Sequence, residues 1–233
     1  MENQNVALVS KAIGEMEAVI PLLKQDLEEA SDKEVRYDLE GFLVSTEVKL
    51  CIAYYTTSKE SNKVKSQVIN SISTFEQHFK FDNGYGDYEH MVWLVSLAIL
   101  VDVELEDFKR ITDVVKRDKV RDKLLNFLIK YKQSDWMDIS NRFIQKSPYE
   151  KLKRAIDESS EETGLRELSH YLNKGIWYKG HSDASWYDNH KRTKVNVFFG
   201  YWSWEAAALV KAKGWSDENL KDNEYYPYNA VHW

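Results

Sequence analysis

The residues that chemistry would use first are six histidines, one cysteine and several runs of carboxylates. The histidines are His78, His90, His170, His181, His190 and His232. No two lie four apart and no His-Glu-x-x-His stretch occurs, so the helical zinc pattern is missing. His181, Asp183, Asp188 and His190 come nearest to a metal-ligand set, but the same cluster also reads as a hydrogen-bonded loop. Cys51 is alone, which rules out a thiolate zinc site and an intrachain disulfide and makes a reducing compartment the simplest expectation. It lies in an apolar helical stretch without a basic activator, as an inert thiol would. There is no Gly-x-Ser-x-Gly elbow, no glycine-rich phosphate loop and no dinucleotide fingerprint. Pairs such as Asp102 with Glu106 read as a solvated helix face. The expectation is a protein without metal, without cofactor and without catalysis.

Glu205 is the exception that needs an account. It stands among aromatics and alanines in VFFGYWSWEAAALVKAKGW, residues 197–215. A buried carboxylate must find donors or shift its pKa. One reading makes it a catalytic or partner-contacting acid, and a helical hydrolase using Glu205 with His190 would need the two to converge in an open pocket. The other makes it an internal tie to a Tyr, Trp, His or backbone group. The tie is favoured, because buried polar groups are normally satisfied.

The net charge is −6 and the pI near 5.6. Phosphate contacts need a basic face, so nucleic acid is not expected as a direct partner. An acidic balance suits a basic protein partner. The acids gather in three clusters. One is Asp102, Glu104, Glu106 and Asp107; it follows a buried helix and is the first choice for a partner surface. The second is Asp26, Glu28, Glu29, Asp32 and Glu34. The third is Asp157, Glu158, Glu161 and Glu162. Each also suits a dipole-complementing, solubilising helix end. Six of the eight Trp fall between residues 177 and 233. Most belong in a core, and one or two left exposed would anchor an interface.

The elements that must hold these residues read as helices. With 9 Gly, 3 Pro and no clear strand pattern, an all-α array of about 8–10 helices is the natural class. Val6, Val9, Ile13, Met16, Ile20, Leu23 and Leu27 form one apolar stripe, whose phase survives Pro21 as a kinked or two-part helix. Ser31 and Glu34 suggest a capping box for a second helix burying Val35, Leu39, Phe42, Thr46, Leu50 and Ala53. A third helix after Ser61 turns Val64, Val68, Ile72, Phe75 and Phe79 inward. Asp87 caps a buried helix over 91–101, whose eleven residues fall far short of the roughly 20 that span a bilayer. Helices over 104–116, 119–132 and 161–172 follow; the second turns Val120, Leu124, Leu128 and Tyr131 inward. Ser147, Pro148 and Glu150 mark a further start. The last long helix is expected over 197–213, ended by Gly214, with Ser216 and Asp217 capping a short turn. The N-terminus lacks the basic start and apolar run of a signal peptide, so a cytoplasmic protein is expected.

The C-terminal block carries a resemblance. Trp186, Tyr187 and His190 precede Gly200-Tyr201-Trp202-Ser203-Trp204-Glu205-Ala206-Ala207-Ala208, then Gly214, Ser216, Asp217 and Tyr225-Tyr226-Pro227. This order resembles the signature of the PoNi family, the immunity proteins of polymorphic nuclease effectors. Trp204 stands where Phe is commoner, and Asn229 where an Asp often follows. Looser likeness extends to AYYTTSKESNKVKSQVINSISTFEQHF from Ala53, DYEHMVWLVSLAILV from Asp87 and SPYEKL from Ser147. The resemblance implies N- and C-terminal family regions, residues 1–117 and 118–233, packed together. It implies an antitoxin that binds a cognate secreted DNase and occludes its active site, with no membrane and no cofactor. Trp186, His190, Gly200, Tyr201, Trp202, Glu205, Tyr226 and Pro227 are then structural signature residues.

Overall fold

The computed structural model describes residues 6–192 and 197–233. Every regular element among the described residues is helical. Helix α1 (Val6–Glu29) passes through Pro21 without a break and pairs with α2 (Lys33–Ser58). Then come α3 (Ser61–His78), α4 (Tyr85–Leu100), α5 (Leu105–Arg117) and α6 (Lys123–Lys132). The C-terminal half has shorter pieces: a 3-10 turn at Tyr149–Leu152, α7 (Lys153–Asp157), α8 (Glu161–Tyr171), α9 (Trp177–Gly180), α10 (Trp204–Lys213) and α11 (Tyr228–Val231).

Helix α4 is the axis of the molecule. From Met91 to Leu100 only Ser96 is polar, and all ten of these residues are buried. That apolar circumference must be covered all round. Helices α2, α3 and α5 cover it from the N-terminal half and α6 and α10 from the C-terminal half. Ala206, Ala207 and Ala208 are fully buried and let α10 lie close. One continuous core therefore runs from Val9 to Ala230.

Several sequence expectations fail for local physical reasons. The N-cap of α2 is Asp32, whose Oδ1 accepts from the backbone N–H of Glu34 (2.8 Å) and Val35 (3.0 Å), so no Ser31–Glu34 box forms. The first half of α2 reaches only a small separate apolar cluster of Leu23, Leu27 and Leu43, and Val35 and Phe42 stay exposed. Helix α6 starts after Asp122, which caps Leu125 N–H at 3.0 Å, and its last turn leaves Tyr131 exposed. The Ser147 hydroxyl donates to the Gly180 carbonyl (3.1 Å) instead of capping a helix. The Asp217 carboxylate accepts from Tyr226 OH (2.7 Å) and faces His232 Nε2 (2.8 Å), so it too makes no cap.

The largest correction concerns the last long helix. It begins at Trp204, and Phe198–Ser203 is not helical. Gly200 has φ +108°, a conformation costly for any residue with a Cβ and incompatible with a helix. The segment is instead fixed by Ser203 N–H donating to the Tyr225 carbonyl at 2.8 Å. The other end is as expected: Lys211 and Lys213 lie in the last turn, and Gly214 closes it at φ +67°.

Candidate functional site: a buried signature and the acidic surfaces

The signature residues converge, but inward. Glu205 is buried at the start of α10, and its Oε1 accepts from Ser203 Oγ (2.6 Å), Tyr171 OH (2.7 Å) and Trp177 Nε1 (2.8 Å). Burial pushes its carboxyl up, and these three donors pull the other way. His190 lies elsewhere: its Nδ1 and its backbone N–H both meet Tyr201 OH, at 2.8 and 3.2 Å. Neither Glu205 nor His190 lines the cavities of about 530, 480, 350 and 780 Å³. The pair a hydrolase would need is not assembled.

The remaining signature residues bind the two halves of the chain together. Trp202 Nε1 donates to Thr56 Oγ1 at 2.8 Å, and Thr56 Oγ1 donates to the Phe199 carbonyl at 2.8 Å. Tyr55 meets Trp202, Trp204 and Trp233 edge-on, with ring centroids 5.0 to 5.6 Å apart. Tyr226 holds Asp217, and Pro227 is buried beside it. Trp186 Nε1 donates to Glu89 Oε1 on α4 at 2.9 Å. Glu89 was not singled out by sequence reasoning. Its signal was a carboxylate two residues before the longest apolar run, close to the apolar company that marked Glu205.

The histidine-aspartate cluster disperses as well. His181 is buried, with Nδ1 2.7 Å from the Trp177 carbonyl and Nε2 3.3 Å from Tyr149 OH. That geometry makes Nδ1 the donor and Nε2 the acceptor of a neutral ring. Its Nε2 is also 3.8 Å from Glu89 Oε1, an ion-pair distance. Burial nevertheless drives the His181 pKa down to about 3 and lifts Glu89 well above the usual carboxylate range, and both shifts oppose an ion pair. Asp188 takes Tyr178 OH (2.6 Å) and Lys191 Nζ (2.8 Å). Among the described residues, no group of three or more His, Cys, Asp or Glu side chains is placed to hold a metal ion. Cys51 is buried against Ser71 Oγ (3.4 Å), and burial pushes its thiol up to about 12.

The three acidic clusters are at the surface but differ in their company. Asp102 pairs with Lys132, its carbonyl accepts from Lys65 Nζ (2.8 Å), and Asp107 pairs with Arg110 (3.2 Å). The hydrogen bond from Lys132 holds the Asp102 carboxyl below its ordinary range. Glu104 and Glu106 remain without an ion pair among the described residues. Asp157 pairs with Lys123 (2.6 Å) and Lys153 (2.9 Å), and Glu158 caps Ser159 and Ser160 N–H. The cluster from Asp26 to Glu34 is exposed at the α1–α2 connection. None of the six C-terminal tryptophans is exposed. Trp215 is stacked over by Lys213 at 5.3 Å and lies where a Cβ on Gly164 would collide with its ring, at 2.0 Å. Trp233 donates to the Lys59 carbonyl at 3.2 Å. The exposed aromatics are instead Tyr37, Phe42 and Tyr131.

Among the described residues the most distinctive side chains are interior ties, and the acidic clusters lie outside. Comparison gives the family: the description "PoNe immunity protein (PoNi), N-terminal" matches residues 3–113 and "PoNe immunity proteins (PoNi), C-terminal" matches residues 120–230. The chain belongs to the PoNe immunity protein (PoNi) family. Membership points to an immunity role against a nuclease effector. The fold is shared with the crystal structure of protein PA2201 from Pseudomonas aeruginosa, at TM-score 0.75 and 15% identity over 97% of this chain and 87% of that one. A search of curated proteins finds no match. No helix among the described residues is long and apolar enough to cross a membrane.

Proposed function

We propose that this chain neutralises a cognate DNase effector by binding it stoichiometrically in the cytoplasm and covering its active site. The observation that carries the reading is the match of both halves to immunity-protein regions. The chemistry of the surface supports it. A nuclease must present a basic cleft to phosphates, and carboxylates on an inhibitor complement that cleft and speed encounter. The chain carries a formal charge of −6, with acids grouped on the outside. Asp102, Glu104, Glu106 and Asp107 are one candidate contact group; within it Glu104 and Glu106 are the carboxylates free to meet a partner. Turnover is not part of the mechanism, since Glu205 and His190 are committed to interior partners. The test is co-expression with the cognate nuclease effector. Rescue of growth and recovery of a one-to-one complex are expected; toxicity undiminished by the expressed, folded chain would refute the proposal.

A further inference from the structure

We propose that the groove between α1 and α2, on the Phe42 side, is the docking site for the basic nuclease partner; this rests on the immunity reading above. Nine large apolar side chains are exposed among the described residues, and five of them, Val6 (50%), Leu22 (57%), Val35 (52%), Tyr37 (44%) and Phe42 (55%), belong to this helix pair. Phe42 and Val19 line the same cavity of about 530 Å³, with Ala12, Met16 and Phe199. Leu22 lies one turn beyond Val19, and Val35 lies two turns before Phe42, so both continue the same faces. An apolar strip therefore leads along the groove into a cavity large enough for an aromatic or aliphatic side chain. Apolar surface with a pocket at its centre is what an interface anchor needs.

Charge selects the occupant. Residues 26–38 hold six carboxylates against Lys33 and Arg36, so four of the chain's six net negative charges sit in thirteen residues. Asp26, Glu28, Glu34 and Asp38 form no ion pair with any described residue, whereas Asp102 and Asp157 are held by Lys132, Lys123 and Lys153. Asp38 lies between Val35 and Phe42 on the exposed face of α2, and Asp26 one turn beyond Leu22 on α1. The rim is acidic and unneutralised. The inner end of the cavity is the opposite, with Lys49 and Arg192. The Lys49 ammonium has no hydrogen-bond acceptor among the described residues, only the face of Phe199 at 5.8 Å. A partner then places an apolar side chain in the cavity and its Lys and Arg along the rim. An ordinary interface of about 800 Å² per partner would cover groove and rim together.

The test uses the full chain and a catalytically inactivated nuclease domain of its cognate effector, with binding rates measured at low and high salt. Leu22→Ala with Phe42→Ala should raise the dissociation rate by about tenfold or more. Asp26→Lys with Asp38→Lys should lower the association rate several-fold and flatten its salt dependence. All four positions are exposed, and unchanged thermal melts will show that the variants fold. Asp222→Lys, an exposed charge reversal outside all three acidic clusters, should bind like the parent. A parent chain that binds the nuclease while both groove variants bind equally well overturns the docking site and leaves the immunity reading standing. A parent chain that does not bind overturns both.

Discussion

Trp186 and Glu89 are 97 residues apart in sequence, yet the indole N–H of the first donates to the buried carboxyl of the second at 2.9 Å. This bond ties the C-terminal signature to the central helix α4. The indole combines a donor at its edge with a broad apolar body on which Trp93, Trp177 and His181 pack. Trp186→Phe keeps the body and orphans the carboxyl oxygen. The expected loss is about 1–3 kcal/mol, read from denaturant melts of variant and parent. Equal stability would mean that the bond contributes nothing.

Glu205 collects three donors, so the size of its effect separates its two possible roles. Glu205→Leu leaves Ser203, Tyr171 and Trp177 without their acceptor and should cost roughly 3 kcal/mol or more. Glu205→Gln retains a carbonyl oxygen in the same place and should cost much less. Protection against the nuclease should survive in Glu205→Gln and in His190→Ala, provided both fold. Selective loss of protection in a folded Glu205→Gln protein would restore the reading of this carboxylate as a working acid.

Packing around α10 gives a third expectation. Ala207 is fully buried, on the helix that lies against α4. Ala207→Phe should overpack that contact and cost about 1–3 kcal/mol or more. A variant that melts like the parent and fails only in nuclease binding would put α10 at the surface.

Much of this was legible in sequence, and what was not has a common cause. Element type came from apolar spacing, which reports burial, and it held for α1, α3, α5 and α8. The carboxylate at Glu205 declared itself by its apolar neighbours. The start of α10 was misplaced because Val197–Ser203 is as apolar as a buried helix, and composition cannot distinguish a buried extended segment from one; only the positive φ of Gly200 does. Val35 and Phe42 fit the helical stripe of α2 but face no third layer, and a stripe does not say how many layers cover it. Which acidic cluster is internally paired was also hidden, since Lys132 and Lys65 reach Asp102 from distant elements.

Acid should destabilise the protein through its buried histidines. Burial takes His90 and His181 down to about 3, against about 6.5 for an unfolded chain. Between those values the unfolded state binds the extra protons. Stability is therefore present above pH 6.5 and lost as pH falls toward 3. At pH 5 the loss is roughly 2 kcal/mol per histidine. Glu89 titrates in the opposite sense, because its raised pKa favours the folded state at low pH. A difference measurement isolates the ring: the stability gap between the parent and His181→Gln should narrow as pH falls from 7 to 5. A gap that stays constant would show that His181 is not held neutral.

The central claim is that the chain neutralises a nuclease by stoichiometric capture. The most direct measurement is digestion of plasmid DNA by the purified cognate nuclease, titrated with the purified chain. Cleavage should fall linearly and stop at one molar equivalent, and added salt should slow capture. Digestion that proceeds unchanged at a several-fold excess of the folded chain would contradict the account.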